Sequence, residues 1–134
     1  YYPAQVSGGM QQRASIVRAW ANEPRVLLMD EPFSHLDEIT AREMRTELIR
    51  LWSQEEGEKK TVIFVTHDMS EAIYLADELY MLTKCPNARI FHHEKIDVHR
   101  PRDPEDERLF EIEREMKKKF YAELTKERKV AAED

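Results

Sequence analysis

Val26-Leu27-Leu28-Met29-Asp30-Glu31-Pro32 is a short apolar run that ends on two adjacent carboxylates and a proline. Continuous apolar residues bounded this way are the pattern of a strand buried on both faces, as in a parallel sheet, with its acidic groups at the C-terminal edge. Pro32 has no N–H for a ladder and ends the strand there. A second run, Thr61-Val62-Ile63-Phe64-Val65-Thr66, is rich in β-branched residues, reads as another buried strand and ends at His67. Between the two, Ala41, Met44, Leu48, Leu51 and Trp52 recur at helical spacings after Asp37 and share one face. Thr40 and Glu43 have the spacing of a capping box for a start slightly beyond Asp37. The polar stretch Gln54 to Lys60 reads as the loop into the second strand. In parallel sheets, ligands bind beyond the C-terminal ends of the strands, where Glu31 and His67 fall.

Upstream, Ser7 stands before Gly8-Gly9 and a breaker-free run to Trp20, so it reads as the N-cap of a helix that ends before Pro24. Downstream, Asp68 and Glu71 have capping-box spacing for a helix that carries Met69, Ala72, Ile73 and Ala76 inward. Leu79 to Leu82 reads as a strand, and the turn residues Pro86-Asn87 lead to a hairpin partner, Ala88 to Phe91, continuing toward Ile96. Beyond Arg100-Pro101-Arg102-Asp103-Pro104, a helix would gather Leu109, Ile112, Met116, Phe120 and Leu124 into one apolar stripe. The stripe from Leu109 to Phe120 is expected to dock, and Lys126 to Asp134 to fray. The alternation of strand and helix is that of an α/β fold with a mainly parallel sheet.

The 134 residues suffice for one compact domain or part of a larger one. With 21 Lys and Arg against 27 Asp and Glu, the net charge of −6 provides no general attraction to nucleic acid or an anionic membrane, so any phosphate site must be local. Cys85 is the single cysteine and forms no internal disulfide, and no apolar stretch is long enough to serve as a signal or to span a bilayer. A reducing, cytoplasmic setting is expected. The start at Tyr1, just before a functional glycine pair, reads as a truncation. His92 and His93 are adjacent, so in a strand they point to opposite faces and do not chelate a metal together. Lys117-Lys118-Lys119 reads as the solvated face of a helix.

Four motifs in order carry a family resemblance. Val6-Ser7-Gly8-Gly9-Met10, the Val26 to Glu31 run, Ser34-His35-Leu36-Asp37, and His67 resemble the signature, Walker B strand, D-loop and switch histidine of ABC ATPases. The resemblance implies the C-terminal portion of a P-loop NTPase fold over residues 1–100, followed by a charged helical tail over 101–134. It implies ATP and Mg²⁺ as cofactors. The chemistry of the residues agrees with these roles. A helix N-terminus offers unpaired N–H groups and a partial positive charge, Gly8 and Gly9 let a phosphate approach the backbone, and Ser7 adds a hydroxyl. No carboxylate stands at Gly8, Gly9, Met10 or Gln11 to repel an anion. Asp30 suits a Mg²⁺-bound water, Glu31 the attacking water, and His67 the γ-phosphate. Asp37 is where the family couples one subunit to the other.

Met10 at the fifth signature position and the tail Ile96-Asp97-Val98-His99-Arg100-Pro101-Arg102-Asp103, followed by an acidic helix containing Leu109-Phe110, resemble the ATPases of nitrate, sulfonate and taurine importers. For such a subunit the expected partners are a second ATPase subunit in a head-to-tail dimer, transmembrane permease subunits and, indirectly, a solute-binding protein outside the membrane, with no nucleic acid. The expected location is the inner face of the cell membrane. No Gly-x-x-x-x-Gly-Lys-Ser/Thr phosphate loop occurs in the sequence, nor the family's Q-loop and adenine-stacking aromatic. The chain therefore holds the signature half of one ATP site and the hydrolytic half of another. Two other readings are a C-terminal head lobe of a DNA-repair or chromosome-maintenance ATPase, and a non-catalytic module binding a partner through Met116 and Phe120.

Overall fold

Ser7 takes an extended backbone and its hydroxyl accepts the Met10 N–H at 3.3 Å, so α1 (Gly8–Ala21) begins where the cap residue dictates. In the computed structural model, which describes residues 2, 5–53 and 60–130, α1 leads into β1 (Val26–Asp30), α2 (Glu38–Ser53) and β2 (Thr61–Val65). Strands β1 and β2 are parallel, with Val26 opposite Thr61 and Asp30 opposite Val65. Their core contains Ile16, Leu27, Met29, Phe33, Ala41, Met44, Leu48 and Ile49. These elements lie in one compact unit, Tyr1–His67, and the remainder of the chain, Asp68–Asp134, makes a second.

Two sequence expectations fail in the first unit. Neither strand is buried on both faces: Leu27 and Met29 are inside, whereas Val26, Leu28, Ile63 and Val65 are 53%, 71%, 52% and 53% exposed. Successive strand side chains alternate, and only one face of this two-stranded sheet is covered. Helix α2 is capped by Asp37, whose carboxylate accepts the Thr40 N–H at 3.0 Å, so Thr40 lies inside the helix and caps nothing. An aspartate three residues ahead already satisfies the N–H groups that a Thr40 cap would serve. Residues 54–59, the greater part of the expected polar loop, lie outside the described residues.

In the second unit, α3 (Met69–Leu75) is capped by Asp68, which accepts the Glu71 N–H at 3.1 Å. Strands β3 (Glu78–Leu82) and β4 (Ile90–Lys95) form an antiparallel hairpin with Tyr80 opposite His93. Asn87, at φ 67°, supplies the left-handed residue of the turn. Helix α4 (Glu107–Val130) lays Leu109 and Met116 into a core made with Ile73, Leu79, Met81, Ile96 and Val98, and Ile112 and Phe120 pack against it. The stripe docks as its spacing predicts. The helix runs through Val130, so residues 126–130 are helical where fraying was expected; the local sequence is rich in strong helix formers, and Lys126 pairs with Glu123 at 3.2 Å. Residues 131–134 lie outside the described residues.

Lys119 also departs from the solvated-face reading, since it reaches β4 and bonds Glu94 at 3.3 Å and His92 at 3.2 Å. Arg102, only 5% exposed, donates to the carbonyls of Ile73, Tyr74 and Ala76 at 3.0, 3.0 and 2.6 Å, and to Ile96 and Val98 at 3.2 and 3.0 Å. It thus satisfies carbonyls that the end of α3 leaves without helical partners. No helix among the described residues is long and apolar enough to cross a membrane.

Candidate functional site

Glu31 follows the last residue of β1, and its N–H still donates to Val65 of β2 at 2.8 Å. Its backbone then turns into the left-handed region, at φ 47°. Few residues other than glycine adopt that conformation, and a following proline restricts the backbone further. The turn that results is closed from two sides. The Ser34 N–H and hydroxyl donate to the Glu31 carbonyl at 3.3 and 3.0 Å, and the Gln12 Nε2 of α1 donates to the Pro32 carbonyl at 2.7 Å. Phe33 is buried beneath the turn, its ring 5.8 Å from that of Phe64.

Held in this way, both carboxylate oxygens of Glu31 lie 2.9 Å from Nδ1 of His67. Two acceptors at equal distance from one ring nitrogen require that nitrogen to carry the hydrogen and share it. The Glu31 side chain is 34% exposed and that of His67 77%, so the pair sits where solvent or a ligand can reach it. A carboxylate in this position can take a proton from water while the imidazole fixes its orientation. Asp30, exposed and opposite Val65 at the end of β1, adds a neighbouring carboxylate. Among the described residues no group of three or more His, Cys, Asp or Glu is gathered to hold a metal by itself. A lone carboxylate nevertheless fits Mg²⁺, which takes one or two protein ligands and completes its shell with water and phosphate oxygens.

At the start of α1, Ser7, Gly8 and Met10 are exposed and the first turn carries no acidic residue. The two glycines differ. A Cβ on Gly9 would lie 3.3 Å from Leu36 Cδ2 and 3.6 Å from Thr40 Cγ2, so packing against the segment leading into α2 asks for a small residue there. A Cβ on Gly8 would meet nothing within 4 Å among the described residues. Asp37 caps α2, and hydrogen bonds from the Thr40 N–H and hydroxyl hold its carboxyl below the usual carboxylate range.

The structure therefore joins Glu31 to His67 directly and ties the α1 helix to the Glu31 turn through Gln12. Two bracing roles escaped the sequence reading. Ser34 is quoted there only within the Ser34-His35-Leu36-Asp37 motif, although its bond to the Glu31 carbonyl had a local signal, because serine at a turn bonds backbone nearby. Gln12 had none, since its partner lies twenty residues away. As the alternation of strand side chains predicts, His92 and His93 diverge: His92 meets Glu94 at 3.0 Å, and His93 stacks on Tyr80 with ring centroids 4.4 Å apart.

The family model described as ABC transporter matches residues 1–34. The nitrate import ATP-binding protein NrtD of Synechococcus elongatus is 46% identical over 103 residues, which are 77% of this chain and 36% of that protein. The aliphatic sulfonates import ATP-binding protein SsuB of Bacillus cereus is 39% identical over 119 residues, 89% of this chain and 46% of the relative. The chain thus spans less than half the length of either. A solved dimeric ATP-binding cassette in a post-hydrolysis state, bound to ADP and Pi, superposes with a TM-score of 0.60 at 34% identity, over 74% of this chain and 40% of the other.

Proposed function

Because this chain belongs to the ABC transporter ATP-binding family, with the P-loop NTPase fold of its cassettes, we propose that it forms the hydrolytic part of the ATPase subunit of an importer. The importer is of the type to which the relatives named for nitrate and sulfonate import belong. That naming disfavours a DNA-repair head lobe. The observation that carries the catalytic reading is the Glu31–His67 pair, two strand-end side chains 2.9 Å apart and fixed by a braced turn.

ATP supplies the phosphoanhydride, and Mg²⁺ supplies the charge that stabilises its transferred group. Asp30 is the residue that would hold the metal. Glu31 orients the attacking water and accepts its proton, because its carboxylate is held at the strand ends by His67 and by the braced turn. His67 steadies that carboxylate through Nδ1–H, and its imidazole is the group at the end of β2 for a γ-phosphate contact. The N-terminal amides of α1, with the Ser7 hydroxyl, receive the phosphates of ATP held by a second subunit. Met10 flanks them, and Asp37 stands at the contact between subunits. The open space around Gly8 supports this reading, since packing among the described residues does not call for glycine there. Permease subunits and, indirectly, an external solute-binding protein complete the assembly at the inner face of the membrane.

Glu31→Gln tests the proposal in the full protein that carries this chain. The amide keeps the shape and loses the basic oxygen. Turnover is expected to fall by about 10²- to 10⁴-fold with ATP affinity retained. Equal loss of binding and turnover would assign Glu31 a structural role instead.

A further inference from the structure

We propose that Gln12 is a positioning residue for Glu31, coupling the anion-facing helix α1 to the catalytic turn; this rests on the functional reading above. Glu31 is strained by its left-handed φ of 47°, and Pro32 restricts it further. A conformation of this kind persists only where its surroundings over-determine it. Three sets of bonds do so here: Glu31 N–H to Val65 from β2, Ser34 to the Glu31 carbonyl within the turn, and Gln12 Nε2 to the Pro32 carbonyl from α1. The first two tie the turn to itself and to its own sheet. Gln12 alone among them belongs to the helix whose N-terminus faces phosphate, and at 2.7 Å its bond is the shortest of the three.

The bond is partly buried, and Pro32 is itself buried, so water is poorly placed to replace the amide. Removing the donor frees the Pro32–Phe33 peptide, one residue beyond Glu31, and so loosens the turn that sets the direction in which the carboxylate leaves the backbone. His67 meets both oxygens of that carboxylate at 2.9 Å, an arrangement sensitive to small rotations. Engagement of phosphate by α1 therefore bears on the aim of Glu31 through one side chain. Gln12 bonds the Pro32 carbonyl and acts through the turn.

Single-turnover ATP hydrolysis and steady-state kinetics on the full protein test this with Gln12→Met, Gln12→Lys and Glu31→Gln. Gln12→Met keeps the length of the side chain and removes the donor. It is expected to lower kcat by about 10- to 100-fold, the scale of a small misplacement of a reacting group, with KM for ATP within about twofold. Gln12→Lys retains a donor on a stem of similar reach and is expected to restore kcat to within about threefold of the parent. In a Glu31→Gln background, Gln12→Met should have no further effect, because a residue that acts through Glu31 has nothing left to position. Should Gln12→Met fail to fold, Gln12→Ser gives the same cycle without placing an apolar group on the carbonyl. An unchanged kcat in the donor-less variant, or an equal fall with and without Glu31, overturns the inference. If Glu31→Gln itself leaves turnover intact, the catalytic reading fails and the inference with it; if Glu31→Gln abolishes turnover and Gln12→Met does not alter it, the inference fails alone.

Discussion

At the scale of single residues, Asp37 performs a structural task at a position where the family resemblance implies a coupling one. Its carboxylate accepts the Thr40 N–H at 3.0 Å, and the bonds from Thr40 hold its carboxyl below the usual range. A group whose folded pKa is depressed contributes stability above its unfolded pKa and loses it as pH falls through the folded value. The thermal midpoint of the parent should therefore exceed that of Asp37→Ala by a constant amount at neutral pH. The gap should close below about pH 4, where carboxylates begin to protonate. Melting curves across pH check this, and a gap that persists at low pH would remove the charge from the explanation. The positions of Glu31 and His67 were legible because a strand end can be read from where an apolar run stops. The left-handed turn at Glu31 was not legible, because its cause lies in partners on α1 and β2 that no local pattern names.

At the scale of elements, the second unit turns on how α3 ends. Its N-terminus was readable from Asp68 and Glu71, three residues apart, but its C-terminus is closed by Arg102, 26 to 29 residues away from the carbonyls it serves. An arginine in a proline-rich connection has the sequence character of an exposed residue. Burial pushes its guanidinium below the usual range, neighbouring Arg100 adds in the same sense, and Asp77 opposes both. Arg102→Met replaces it with an apolar side chain and leaves several buried carbonyls without donors, so unfolding should be easier by about 2 to 4 kcal/mol. Arg102→Lys keeps the charge but loses the planar fork, and should fall between the two. Urea denaturation measures the loss, and hydrogen exchange should locate it in α3 and its neighbours. The α4 stripe was legible because Leu109, Ile112, Met116 and Phe120 repeat at the helical period, and Leu109 and Met116 are buried as that period requires.

At the scale of the molecule, the proposed catalytic carboxylate, Glu31, is present while the sequence has no phosphate loop to grip the β- and γ-phosphates. The 134-residue chain alone should release no phosphate from ATP above background, and Mg²⁺-dependent release that disappears in Glu31→Gln would contradict this. The same scale explains why the apolar runs read as strands with two buried faces although one is open. Periodicity reports how apolar a side chain is, and what covers it depends on elements that a local pattern does not identify. Val26, Leu28, Ile63 and Val65 lie on adjacent parallel strands, with Val26 and Leu28 registered opposite Thr61 and Ile63. Together they form one exposed apolar strip. Such a strip attracts other apolar surface, so the chain in isolation should bind a hydrophobic dye and self-associate as its concentration rises. Leu28, at 71% exposure, contributes most freely to this surface and packs least. Leu28→Thr keeps a residue suited to strands and adds a hydroxyl, so it should reduce dye fluorescence and sedimentation of aggregates with little change in the unfolding midpoint. Unchanged dye binding in that variant, or a large loss of stability, would mean that Leu28 is covered in solution.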